Sequence, residues 1–118
     1  RLYRRLCPNC KTPIQITLDE LKANRFNIKG LDFDSKEIYL PGKCNKCSQL
    51  GYKGRGGIME IMEVGDSVRS MILKDANSDE LRNGAVANGM ITLQRAGLNK
   101  VFDGLTSIDE VLRITSSV

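Results

Sequence analysis

Two C-x-x-C pairs, Cys7-Pro8-Asn9-Cys10 and Cys44-Asn45-Lys46-Cys47, hold all four cysteines of this 118-residue chain and constrain its fold more than any other feature. Each pair closes a tight turn with two sulfurs aimed at one point. Two such turns facing each other make the tetrahedral four-thiolate cage that structural zinc prefers, which names Cys7, Cys10, Cys44 and Cys47 as candidate Zn²⁺ ligands. The 33 residues between the pairs exceed the roughly 15–20 of a compact zinc ribbon, so the intervening segment has to form structure of its own. Four protein ligands leave no position for water, and the metal is therefore expected to be structural rather than catalytic. Arg5, Lys11, Lys43 and Lys46 are close enough in sequence to favour the thiolates and offset their negative charge. Two rival uses of the cysteines are weaker. A disulfide framework suits an exported chain, but no signal peptide or N-x-[S/T] acceptor is present. A redox C-x-x-C pair opens a helix in a βαβ unit, and no such unit is visible.

The absence of histidine removes Ser-His-Asp and Cys-His nucleophile systems, two-His zinc proteases and histidine proton shuttles together. With 41% hydrophobic and 27% charged residues the composition is that of a globular chain, one domain or two small subdomains in size. Its charge is unevenly divided. Residues 1–57 carry 12 basic and 5 acidic side chains, net +7, whereas residues 58–118 carry 6 and 9, net −3. The basic half admits a nucleic-acid-binding zinc module as the alternative reading, but its cations are scattered and seldom interleaved with aromatics that stack on bases. The start, Arg-Leu-Tyr-Arg-Arg-Leu, has neither an initiator Met nor a signal-peptide apolar region, so the chain is expected to begin inside a longer protein.

The pattern predicts an α+β organisation with a boundary near Gly57: a zinc-binding subdomain over 1–57 with a short helix and a hairpin, then a strand and a mainly helical subdomain over 58–118. Thr17-Leu18-Asp19-Glu20 has the form of a capping box and predicts a helix over Leu18–Arg25. Leu31-Asp32-Phe33 and Glu37-Ile38-Tyr39-Leu40 read as the two strands of the hairpin. Gly51 and Gly56 have phosphate-loop spacing, but Gly57-Ile58 follows where Lys and Ser/Thr are required, so no complete phosphate loop is present. Arg55-Gly56-Gly57 reads as a tight turn into a strand over Gly57–Val64. That strand would be apolar on both faces and would belong to a sheet whose remainder is absent. Asp66 or Ser67, Ser78, Thr92, and Thr106 or Ser107 are candidate caps for four helices, with Gly89 and Gly104 as stops. Removing the metal from such a molecule would unfold residues 7–47 and leave much of the helical half standing.

The order Arg-Leu-x-Arg-x-Leu-Cys-x-x-Cys, then Cys-x-x-Cys-x-x-x-Gly-Tyr-x-Gly-Arg-x-Gly-Ile-x-Glu, then Gly89-Met90 with Leu93, then Gly104-Leu105-Thr106-Ser107 with Glu110-Val111-Leu112-Arg113 resembles the C-terminal part of the type II secretion and type IV pilus assembly ATPases. The resemblance implies a hexameric motor of the bacterial cytoplasm, peripheral to the inner membrane. Such a motor hydrolyses ATP with Mg²⁺ and contacts neighbouring subunits, an inner-membrane platform protein and other secretion or pilus machinery, with no nucleic acid expected. The nucleotide-binding parts of that family precede the tetracysteine segment, so only Cys7, Cys10, Cys44 and Cys47 take over a site role, as zinc ligands. Ser48-Gln49-Leu50 stands where relatives often carry Thr-Gly, and Gly56 follows Arg55; neither departure touches a ligand. Pilus-retracting members generally lack the tetracysteine element, which favours an assembly or secretion motor.

Overall fold

The computed structural model describes residues 1–116. In chain order they form β1 (Leu2–Leu6), β2 (Thr12–Thr17), α1 (Leu18–Ala23), β3 (Ser35–Leu40), β4 (Tyr52–Gly57), α2 (Asp66–Leu73), α3 (Ser78–Ala87), α4 (Leu93–Phe102) and α5 (Ile108–Thr115). The fold is mixed, with five helices and two antiparallel two-stranded sheets among the described residues.

The capping box forms as the sequence predicts: Glu20 N–H donates to Thr17 Oγ1 and Thr17 N–H to Glu20 Oε1, both at 3.2 Å. The helix stops at Ala23, two residues short of the expected end, because Arg25 turns left-handed (φ +69°) and brings Phe26 N–H onto Leu21 O, so that Phe26 enters the core. The hairpin differs from expectation. β3 is a strand, but it pairs along its whole length with β2, from Thr12 opposite Leu40 to Thr17 opposite Ser35. Leu31 and Phe33 instead pack as loop side chains against the core. β2 offers six extended residues whose Ile16 is buried, a longer ladder than three residues could supply.

β1 pairs with β4, and a bulge sets Arg5 against Lys53 and Gly54, the latter in the left-handed region (φ +83°). Arg55-Gly56-Gly57 is therefore the second half of a strand and not a turn. Gly56 lies against the Tyr3 ring, where any Cβ would collide with it. The strand expected over Gly57–Val64 is absent. The β1–β4 ladder ends where Ile58 N–H donates to Arg1 O (2.8 Å). Ile58 is buried, whereas Met59, Ile61 and Val64 are exposed in irregular backbone. A strand apolar on both faces is stable only with partners on its edges and cover on both sides, and the described residues provide neither.

The helix caps are legible to within a residue. Thr92 and Ser107 cap α4 and α5 as expected, while Gly65 and Asn77 take the N-cap positions one residue before Asp66 and Ser78. Gly89 and Gly104 close α3 and α4 with φ of +99° and +78°, conformations that cost glycine little.

The main core joins both parts of the chain. Ile16, Leu21, Phe26 and Ile38 pack with Leu98 and Val101 of α4 and Ile108 and Val111 of α5. Gly97 allows the two helices to approach until a Cβ there would lie 2.8 Å from Val111 Cγ1. A second cluster gathers Tyr3, Ile58, Leu93 and Ile114. Beside it, Glu110 is buried at 1% exposure and receives Arg4 N–H (2.7 Å), Arg4 Nε and Nη2 (3.0 and 3.1 Å) and Arg113 Nε and Nη2 (2.6 and 2.9 Å). The Arg4 guanidinium lies 4.3 Å from the centre of the Tyr52 ring, and the Tyr52 hydroxyl meets Ser107 Oγ at 2.6 Å. Thr106 Oγ1 donates to Arg4 O (2.8 Å). β1, β4 and the start of α5 are thus tied together by polar contacts around one carboxylate.

Candidate metal centre

The four strands change over at one point. The first C-x-x-C lies between β1 and β2 and the second between β3 and β4, so each cysteine turn sits between a strand of one sheet and a strand of the other. The first turn is closed by Lys11 N–H on Cys7 O (3.1 Å). The second is a single 3₁₀ turn, Asn45–Cys47, followed by Ser48 and Gln49 in the left-handed region (φ +55° and +64°), with Gln49 N–H on Cys44 O (2.8 Å).

Gly51 joins the two turns. Its N–H donates to Cys47 Sγ (3.2 Å) and its carbonyl accepts from Cys7 N–H (2.9 Å), at φ +81°. Gly42 packs so closely on the Cys10 carbonyl that a Cβ would overlap it. Gly42→Ala is expected to push the Lys43–Cys47 arm away from Cys10 and to weaken metal retention about tenfold or more, the loss typical when the support around a ligand is disturbed. A competition titration with a zinc indicator reads this directly; an unchanged affinity would show that the arm adjusts freely.

The sequence-expected ligands come together. The Sγ atoms of Cys7, Cys10, Cys44 and Cys47 all lie within 4.8 Å of one another. Three of the six separations are Cys7–Cys44 at 3.7 Å, Cys10–Cys47 at 3.7 Å and Cys44–Cys47 at 3.6 Å. Four thiolates at about 2.3 Å from a central Zn²⁺ would be separated by roughly 3.8 Å along each tetrahedral edge. The donor set and its dimensions fit a structural zinc ion. Cys7 and Cys47 are buried and Cys10 and Cys44 half-buried.

Electrostatics divides the thiols. Burial pushes Cys10 up to about 12, with hydrogen bonds to Cys44, Cys47 and Cys7 adding to the rise. Cys44 is held down at about 6, first by a hydrogen bond with the Asn9 side chain. For Cys47, burial acts upward but backbone hydrogen bonds from Gly51 and Cys44 outweigh it, and the net direction is down. At Cys44 and Cys47 thiolate character is therefore supplied by nearby hydrogen bonds. Lys11, expected beside the sulfurs, is committed elsewhere: its Nζ donates to Gly104 O (3.0 Å) and lies 4.3 Å from the centre of the Tyr39 ring. Sequence reasoning gave Asn9 and Gly42 no role, and it read Gly51 for phosphate-loop spacing and as part of the family motif, not as a link between the two cysteine turns. Gly-Tyr three residues beyond the second C-x-x-C turn was the available signal for Gly51; nothing local marked the other two.

Residues 1–113 match the family model described as type II/IV secretion system protein, which takes in the cage and all but the last two residues of α5. The chain belongs to this family. Among its secretion-system relatives, the type IV pilus assembly ATPase PilB of Acinetobacter baylyi is 40% identical over 116 residues, covering 98% of this chain and 20% of that protein. The type IV pilus assembly ATPase PilB of Myxococcus xanthus is 34% identical over 116 residues, 98% of this chain and 20% of its own. The type II secretion system ATPase E of Vibrio cholerae is 34% identical over 120 residues, 98% of this chain and 22% of its own. The chain thus spans about a fifth of the length of these relatives. Identities to pilus and secretion members overlap, so similarity alone does not assign the chain to one or the other. No helix among the described residues is long and apolar enough to cross a membrane.

Proposed function

We propose that this chain is the zinc-stabilised C-terminal module of a hexameric ATPase that powers type IV pilus assembly or type II protein secretion. The observation that carries this reading is the convergence of Cys7, Cys10, Cys44 and Cys47 at tetrahedral spacing inside the stretch matched by the secretion-system family. Zn²⁺ held by these four thiolates would lock the crossover between the two sheets and leave no open coordination position. ATP and Mg²⁺ belong to the parent protein, which works in the bacterial cytoplasm at the inner membrane, against a platform protein and beside neighbouring subunits. Residues 58–64, apolar on both faces, support this placement, since they suit a strand that enters the sheet of the remaining motor. The chain alone has no complete phosphate loop and is expected to hydrolyse no ATP.

Elemental analysis of the purified chain with a free-thiol count tests the reading. About one zinc per chain, no disulfide and four thiols titratable after denaturation with chelator are expected. No metal together with two disulfides would overturn it.

A further inference from the structure

Arg4 and Arg55 stand directly opposite each other across the β1–β4 ladder. Like charges in that position destabilise a sheet, and the fold offers only partial relief. Among the described residues Glu110 is the one acid ion-paired with Arg4 and Arg113, taking Nε and Nη2 of each. Arg55 is exposed and has no hydrogen-bond or ion-pair partner among the described residues. Arg4, Arg55 and Arg113, with Leu2 and Tyr3, line one notch of about 360 Å³. Three cations against one carboxylate leave it with a net charge of +2.

We propose that this notch binds a dianionic phosphoryl group, a role that goes beyond the zinc-module reading and does not depend on it. Glu110 holds Arg4 and Arg113 in place before any ligand arrives, and the Tyr52 ring supports the Arg4 plane, so little side-chain freedom is lost on binding. Arg55 supplies a whole unpaired fork, whose parallel N–H groups match two phosphoryl oxygens. A dianion neutralises the +2 excess and removes the cross-strand repulsion between Arg4 and Arg55; a single carboxylate would leave half of it. The group is free phosphate or the terminal phosphate of a nucleotide, two sources that present the same oxygens.

The test follows the arginine Nε–Hε resonances of the 118-residue chain by NMR, titrating inorganic phosphate and, separately, ADP at constant ionic strength, with chloride as control. Saturable shifts at Arg4, Arg55 and Arg113 with phosphate are expected, weakened at least tenfold by Arg55→Gln and unchanged by Lys22→Gln on α1. The Arg55 side chain has no partner among the described residues, so its variant should keep the native spectrum elsewhere. ADP binding with the same Arg55 dependence, but at least tenfold tighter, supports the site with a nucleotide as carrier; equal affinity supports it with free phosphate as ligand. A response matched by chloride, a loss under tenfold in Arg55→Gln, or an equal loss in Lys22→Gln overturns the proposal.

Discussion

Stripping the metal with a strong chelator at neutral pH is expected to unfold the chain well beyond the cysteine segment. A structural zinc site supplies about 10 kcal/mol or more of folding free energy, comparable with the roughly 5–15 kcal/mol that separates a folded domain from its unfolded state. The cage also sits where both sheets exchange strands, so its loss frees β1 from β2 and β3 from β4. The change of composition at Gly57 is not matched by a break in the core. Ile16, Leu21, Phe26 and Ile38 come from before it and Leu98, Val101, Ile108 and Val111 from after it. If the first four leave, α4 and α5 lose cover worth about 1.5–3 kcal/mol for each buried side chain. The sequence alone suggests that the helical half survives; the shared core predicts that α4 and α5 melt with the sheets. Far-UV circular dichroism during chelation, with metal content measured in parallel, checks this. Cys7→Ser, which removes a buried ligand, should behave as the chelated protein does. Native helicity and an unchanged melting temperature at zero metal would sink the metal-dependence of the fold.

What could be read from the sequence was set by local chemistry. Thr17 with Glu20, Thr92, Ser107, Gly89 and Gly104 act within a few residues of themselves, and the structure uses each of them as a cap or a stop. The four cysteines were legible because their spacing repeats and their chemistry is rare. The strand partners were not. β2 and β3 are separated by α1 and the loop after it, and whether Ser35–Leu40 takes Leu31–Phe33 or Thr12–Thr17 is decided by which pairing buries Ile16 and Ile38 against α4 and α5. The role of Glu110 is hidden from the sequence for the same reason. At the third position of a helix after Ser107 it reads as a first-turn acid serving the helix dipole. Ser107 Oγ does accept Glu110 N–H (3.2 Å), but the carboxylate turns to Arg4, 106 residues away in sequence.

Replacing Glu110 with glutamine is expected to destabilise the chain by about 3 kcal/mol at pH 7, and the loss should shrink in acid. Burial alone would raise this carboxyl's pKa, yet the hydrogen bonds from Arg113 and Arg4 hold it at about 2, against an ordinary value of 4.5. A group whose pKa is lower in the folded state stabilises the fold fully above its unfolded pKa and loses that contribution as the pH falls toward its folded pKa. The window here runs from about pH 5 down to about pH 2. At 1.36 kcal/mol per pKa unit the contribution is roughly 3 kcal/mol, the size expected for breaking a buried, hydrogen-bonded ion pair whose arginines can still reach water. Both arginine side chains are about half exposed (49% and 56%), so the cost comes from lost hydrogen bonds to the carboxylate more than from stranded cations. Acid also protonates the thiolates and releases metal, so the comparison is made only over the pH range in which both proteins, by metal content measured in parallel, keep their zinc. The informative quantity is therefore the difference in urea unfolding free energy between the native chain and Glu110→Gln. That difference should stay near 3 kcal/mol from pH 7 to about pH 5 and shrink progressively below pH 5 for as long as both proteins retain metal. A difference that is small at pH 7, or constant across the range, would mean that the carboxylate between Arg4 and Arg113 does not hold β1 to α5.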